Sequence, residues 1–204
     1  MKKQVDASEY AFGRYMHLDR WISVHYQISE VLTLAPTMVL EVGTGTGTFK
    51  REIERNGVNV KTLDIAADLH PDFIGSVTDI PLEGETYDVV CAFQVLEHVP
   101  YEQFEIALAE MMRVARKAIV LSLPHHGPNI RFSAKIPGLP EVRFVRKLRK
   151  AVQHEFDGEH YWEIGKKGYS EQKIRQALEA VGNVTTDYIP FENRFHHFYV
   201  VEKQ

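Results

Sequence analysis

Val39-Leu40-Glu41-Val42-Gly43-Thr44-Gly45-Thr46-Gly47-Thr48-Phe49 is the stretch whose reading decides the fold. With Met38, its first residues make a short apolar run broken only by Glu41, the pattern of a parallel strand covered on both faces. Glycines at alternate positions follow. Phe49 and Ile53 then fall on one side of a helical period that Asn56-Gly57 is placed to stop. The unit is strand, glycine turn, helix. Such a turn brings a ligand against bare backbone and points the unpaired N–H groups of the helix start at it, so a polar or anionic group belongs there.

The spacing says which ligand. A dinucleotide turn runs G-x-G-x-x-G, whereas here the glycines are Gly43, Gly45 and Gly47, and Thr48 stands where the last dinucleotide glycine would fall. Glu41, two places before the first glycine, has no part in a nicotinamide scheme but suits a ligand carrying positive charge beside the turn.

Outward from this unit the chain alternates strands with helices or loops. Before it, Trp21, Val24, Ile28, Val31 and Leu32 recur at helical spacing within residues 15–34, ahead of Pro36. After it, residues 58–63 read as a second strand ending in Asp64, about twenty residues past the glycines, where nucleotide folds place a carboxylate for ribose hydroxyls. The turn-rich residues 66–84 leave room only for a short third strand. Residues 87–93 read as a fourth strand; Phe104, Leu108, Met111 and Ala115 mark a helix; residues 118–123 read as a fifth strand. Ser170 caps a further helix with Ile174, Leu178 and Val181 on one face, and residues 184–189 and 195–201 form a closing antiparallel pair. The expected fold is α/β, a doubly wound, mostly parallel seven-stranded sheet with a reversed last strand, binding ligands beyond the carboxyl ends of its strands.

The glycine stretch resembles the first motif of the class I S-adenosylmethionine-dependent methyltransferases. Asp79-Ile80-Pro81, Tyr87-Asp88-Val89-Val90 and Val95-Leu96-Glu97-His98-Val99-Pro100 extend the resemblance to the ubiquinone-type, small-molecule branch over residues 38–123. The resemblance implies S-adenosylmethionine as cofactor, with Gly43, Gly45 and Gly47 under its amino-acid part, Asp64 on the ribose hydroxyls and Asp79 near the adenine amine. Glu41, Thr44, Ile65, Ile80, Phe93 and Gln94 complete the implied cofactor pocket. The closing hairpin matches the family's reversed strand.

At 204 residues and 44% hydrophobic content, one domain over residues 1–204 is expected, with a helical segment over residues 1–36. The net charge of −4 gives no reason to expect nucleic acid. No Asn/Asp-Pro-Pro-aromatic run follows the fourth strand, which argues against methylation of DNA base amines. The single cysteine, Cys91, lies in a core strand and is a packing residue. The first residues, Met1-Lys2-Lys3-Gln4, turn polar at once and no stretch reaches the length of a membrane span, so a cytoplasmic protein is expected.

Residues 124–169 break the sheet pattern. Pro124, Pro128, Pro137 and Pro140 punctuate them, and Val142, Val145, Leu148 and Val152 alternate with Arg143, Arg146, Lys147, Arg149 and Lys150 as on a basic helix. This insertion reads as a lid over a small-molecule or lipid-like acceptor, with peripheral membrane contact through its cations. Candidate bases are His98 after the fourth strand and His125 and His126 after the fifth, because both loops open at the ligand-binding edge. His125-His126 and His196-His197 are adjacent pairs rather than i, i+4 pairs, so no structural metal is expected. A nicotinamide-dependent oxidoreductase and a non-catalytic cofactor-binding subunit are the competing readings. Titration with S-adenosylmethionine against NAD separates the first, and cofactor turnover the second. Acceptor identity and oligomeric state are not encoded in these patterns.

Overall fold

The computed structural model describes residues 10–148 and 152–204. Its strands in chain order are β1 (Met38–Val42), β2 (Asn59–Asp64), β3 (Phe73–Ile74), β4 (Tyr87–Phe93), β5 (Ala115–Pro124), β6 (Asn129–Ala134), β7 (Val142–Lys147), β8 (Asn183–Tyr188) and β9 (His196–Glu202). The helices are α1 (Phe12–Tyr15), α2 (Leu18–Thr33), α3 (Thr48–Glu54), α4 (Phe104–Val114) and α5 (Glu171–Glu179). Seven strands form one sheet in the order β3-β2-β1-β4-β5-β9-β8. All neighbours from β3 to β5 are parallel, and β9 runs antiparallel to both β5 and β8. This is the doubly wound sheet with a reversed last strand that the sequence predicts.

Burial explains why the central strands read as apolar runs. Leu40, Val90, Ile119 and Leu121 face α4 and α5, where Phe104, Leu108, Met111, Ile174 and Leu178 meet them. Their alternates Val39, Cys91 and Val120 face Val31 of α2 and Phe49 and Ile53 of α3. Each such side chain contributes roughly 1.5–3 kcal/mol by leaving water, so neither face tolerates a polar run. Ser170 caps α5 as expected, its hydroxyl accepting the Lys173 N–H at 3.2 Å.

Residues 125–169 depart from expectation. The basic helix does not form: β7 pairs antiparallel with β6 in a separate two-stranded ribbon, with Phe144 opposite Phe132 and Arg146 opposite Ile130. Val142, Phe144 and Val145 favour extended backbone, and Asn129–Ala134 supplies the ladder partner that a single-segment reading overlooks. Arg149 and Lys150 lie outside the described residues. The segment returns to the core through Trp162, which is fully buried against Tyr101 and Phe104 and donates its indole N–H to the Val99 carbonyl at 3.1 Å. Tyr161 N–H to Glu97 O and Ile164 N–H to Pro124 O fix the chain on either side. Among the described residues no helix is long and apolar enough to cross a membrane.

Candidate functional site

The turn after β1 has the backbone its glycines imply. Gly43, Gly45 and Gly47 take φ of 84°, 48° and 65°, a region that side-chain-bearing residues avoid. At Gly43 a Cβ would stand 2.4 Å from Val95 Cγ2, so this glycine is required by packing. At Gly45 a Cβ would meet only Tyr10 at 3.8 Å, so the turn faces open space there. Asp64, at the end of β2, accepts the Thr44 N–H and the Ala66 N–H, each at 2.8 Å, and so ties the turn to the next loop. Gly43, Asp64 and Ala66 line a cleft of about 120 Å³ with Tyr10, Ile65, Val77, Gln94, Val95 and His98, whereas Glu41, Thr44, Gly45 and Gly47 stand outside its lining.

Two polar atoms around the turn fit an incoming ligand. Thr44 Oγ1 and Glu41 Oε2 are buried without a hydrogen-bond partner. Burial drives the Glu41 carboxyl well above the usual carboxylate range. A cationic group beside the turn would stabilise its ionised form. The donor set and the bare backbone therefore suit the amino-acid and ribose parts of S-adenosylmethionine.

Other expected pocket residues lie elsewhere. Asp79 is exposed on a turn closed by its own N–H to Ser76 O. Ile80 is buried in the core, its N–H bonded to Glu110. Gly75 and Val77 line the cleft in their place. Phe93 follows Ala92 on a strand, where neighbours point to opposite faces, and its ring packs on Phe49 at 5.1 Å. Gln94, with φ of 57°, turns back into the cleft and donates to Ser122 Oγ at 3.3 Å.

Beyond the cleft lies a cavity of about 1080 Å³ walled by His98, His125, His126, His160, Arg20 and Phe195, among others. Tyr10, Gln94 and His98 line both spaces. The three candidate histidines differ sharply. His98 stands at the boundary, its Nδ1 3.0 Å from the Glu159 carbonyl oxygen, and burial lowers its pKa. His125 is 3% exposed and engaged on both sides: Nδ1 meets His197 Nδ1 at 3.0 Å and Nε2 lies 3.3 Å from Glu171. His197 in turn bonds Asp187 at 2.6 Å, so His125 belongs to a buried polar chain running to the sheet edge. His126 is half-buried, 3.8 Å from Glu163, its pKa lowered chiefly by burial.

Sequence reading missed the other side of this wall. Glu97 is fully buried and both its carboxylate oxygens lack a hydrogen-bond partner; burial pushes its pKa up to about 7. His160, brought alongside by Trp162 two residues later, places Nδ1 3.2 Å from Glu163 Oε1. Burial works against its charged form, but that hydrogen bond and Glu97 raise its pKa on balance. The available signal was a carboxylate inside the apolar run Val95–Val99, matched with a histidine beside a tryptophan some sixty residues on, as the 61-residue separation of the His98–Glu159 contact shows.

Comparison with known proteins agrees with this geometry. Residues 40–121 match the family described as a methyltransferase domain, from β1 through most of β5. No curated protein sequence matches the chain. Among solved structures, a protein of Pyrococcus horikoshii superposes with a TM-score of 0.63 at 14% identity, covering 98% of this chain and 100% of its own. The 1,6-didemethyltoxoflavin-N1-methyltransferase of Burkholderia thailandensis, bound to 1,6-didemethyltoxoflavin and S-adenosylhomocysteine, gives 0.62 at 16% identity, covering 97% and 84%. Magnesium protoporphyrin IX methyltransferase of Synechocystis PCC 6803, with bound S-adenosylmethionine, gives 0.60 at 14% identity, covering 100% and 87%.

Proposed function

From the premise that this chain carries an S-adenosylmethionine-dependent methyltransferase domain, we propose that it methylates a small or lipid-like acceptor held in the histidine-walled cavity. One observation carries the reading: Tyr10, Gln94 and His98 wall both the glycine-turn cleft and the cavity, so donor and acceptor would share a boundary. The cofactor, when bound, supplies an electrophilic methyl on sulfur. Gly43, Thr44, Gly45 and Asp64 would hold it, and Glu41 would offset its positive charge. What remains for the protein is to orient the acceptor and exclude water, roles that fall to His98 and His126 on the wall and to residues 125–169 as a lid. His125, engaged on both nitrogens, supports the wall instead. The two small-molecule methyltransferases with the same fold favour this acceptor class.

The ribbon adds a lipid-facing possibility to that acceptor class. Ile130, Phe132, Val142 and Phe144 share its exposed face, and Arg146 sits among them. An apolar face edged by cations matches an amphipathic acceptor or the surface that carries one.

Isothermal titration and turnover test the proposal. S-adenosylmethionine should bind and NAD should not. Gly45→Val should abolish that binding, a loss of at least about a hundredfold, without loss of fold, because a side chain there fills the open face of the turn. S-adenosylhomocysteine should accumulate when cofactor and protein meet a metabolite or lipid extract. Cofactor binding without turnover in either extract would leave a non-catalytic subunit as the better reading.

A further inference from the structure

The cavity wall carries a cation that methyl transfer alone does not explain. Arg20 stands in the first turn of α2 and lines the larger cavity but not the glycine-turn cleft. Its guanidinium lies over the Tyr15 ring, 4.2 Å from the centroid, and makes no hydrogen bond or ion pair among the described residues. Its Nε is shut off from solvent without a partner. Arg113, Arg143 and Arg175, by contrast, each reach a carboxylate. We infer that Arg20 binds an oxyanion of the methyl acceptor, a carboxylate or phosphate, and so selects acidic acceptors, a specificity that rests on the methyltransferase reading above.

The chemistry of the group sets the class of ligand. A guanidinium presents its N–H donors in a planar fork that two oxygens of one carboxylate or phosphate can meet together. A donor buried without an acceptor carries a free-energy cost that an incoming oxyanion removes. The aromatic contact with Tyr15 holds the guanidinium at the wall without using up its donors in hydrogen bonds.

The protein's own carboxylates do not neutralise this charge. Glu97 feels the Arg20 charge, but it makes no bond to it and lies behind the wall rather than on it. Glu163 is engaged by histidines, 3.2 Å from His160 and 3.8 Å from His126, and Glu159 is exposed. Burial chiefly, and then the charges of Arg20, His17 and His160, lower the pKa of His196, which groups those three on one side of the cavity. His17 and His160 can therefore add imidazole N–H groups around an anion held by Arg20.

The test titrates the full chain calorimetrically with phenyl phosphate and benzoate, using phenol and benzamide as their uncharged counterparts. At least one charged member should bind at least about tenfold more tightly than its counterpart. Arg20→Gln should remove that advantage while retaining a cooperative melt, because it breaks no bond within the protein. Arg20→Lys, which keeps the charge and loses the fork, should reduce the advantage and decides the question if Arg20→Gln unfolds. Arg55→Gln, which removes an exposed cation after α3, should leave it unchanged. Equal binding of charged and uncharged members, including none by either, would overturn the site, as would an advantage that survives Arg20→Gln. S-adenosylmethionine affinity should be the same in wild type and Arg20→Gln; a parallel loss would give Arg20 to the cofactor and overturn the inference equally. If S-adenosylmethionine binds neither, the methyltransferase reading falls while the oxyanion site stands on the first titration.

Discussion

The two walls of the binding space are built differently. The cleft wall is built on the turn after β1: Gly43 with positive φ, Asp64 holding two backbone N–H groups, and strands buried on both faces beneath them. The cavity wall is mostly side chains, carried in part by residues 125–169, which Trp162 and the contacts beside it tie to the core, and in part by Tyr15, His17, Arg20, Phe195 and His196. Backbone cradles suit a part shared by every member of a fold, whereas side-chain walls can change without moving the sheet. On the proposed reading, the turn would serve the cofactor and the side-chain wall the acceptor.

Removing Trp162 should break the contrast most severely. Trp162→Ala empties a fully buried site and leaves the Val99 carbonyl without its donor, so a loss of about 3–5 kcal/mol in stability is expected from denaturant unfolding. If residues 125–169 detach first, cofactor affinity should survive at denaturant concentrations where acceptor turnover is lost. Coincident loss of both would show that the two walls are one cooperative unit.

Asp64→Ala probes the other wall. It removes the acceptor of the Thr44 and Ala66 N–H groups as well as a proposed ribose partner, so S-adenosylmethionine should bind about 1.5–3 kcal/mol more weakly by calorimetry. Unchanged affinity with an intact fold would remove the ribose role.

These walls were unequally legible in the sequence. Residues 38–124 declared themselves because a strand buried on both faces has one reading, and alternate glycines before Phe49 and Ile53 leave few other conformations. Asp64 was placed by spacing alone. Asp79 and Phe93 were not, since a turn and the side-to-side alternation of β4 direct them away from the cleft. On the ribbon, Val142, Val145 and Leu148 fit a helical period, but the pairing of Phe144 with Phe132 is a contact twelve residues apart that no local period contains. Lys147, read as a free surface cation, is a tether: its ammonium donates to the His125 carbonyl at 2.5 Å and the Gly127 carbonyl at 3.1 Å, and burial lowers its pKa to about 8. Glu97 and His160 come from distant segments and meet only after the fold is made.

Acid sharpens the comparison at the seam between β9 and α2. His196, its Nδ1 2.6 Å from Ser23 Oγ, is buried, and burial lowers its pKa to about 3. The native state therefore keeps it neutral while the unfolded chain takes up a proton near pH 6.5, so the unfolded state binds more protons between about pH 3 and 6.5. Its contribution is complete above about pH 6.5 and is lost as pH falls through that window. His196→Gln should reduce the slope of unfolding free energy against pH by up to about 1.4 kcal/mol per unit between pH 6.5 and 5, above the range where carboxylates titrate. An unchanged slope would mean that the native protein opens enough to protonate His196.

The smallest expected effect lies on the ribbon, and it separates a lid that selects its acceptor from one that only closes over it. Arg143 is committed to Glu141 and Glu192, and Lys147 to the carbonyls of its own segment, so neither offers a charge to a substrate without giving up a partner. Arg146 is exposed beside Ile130, Phe132 and Phe144, on the face that meets solvent. Arg146→Gln should leave stability within about 0.5 kcal/mol, as surface changes usually do. Phe132→Ser with Phe144→Ser should also cost little in the core, because both rings are at least half exposed. If the ribbon meets an amphipathic acceptor or its membrane, these variants should raise the acceptor's KM and lower sedimentation with anionic vesicles, with the Arg146 effect vanishing at high salt. If the ribbon only covers the cavity, KM and vesicle binding should match wild type while cofactor affinity also stays constant, and specificity would then rest on the histidine wall beneath.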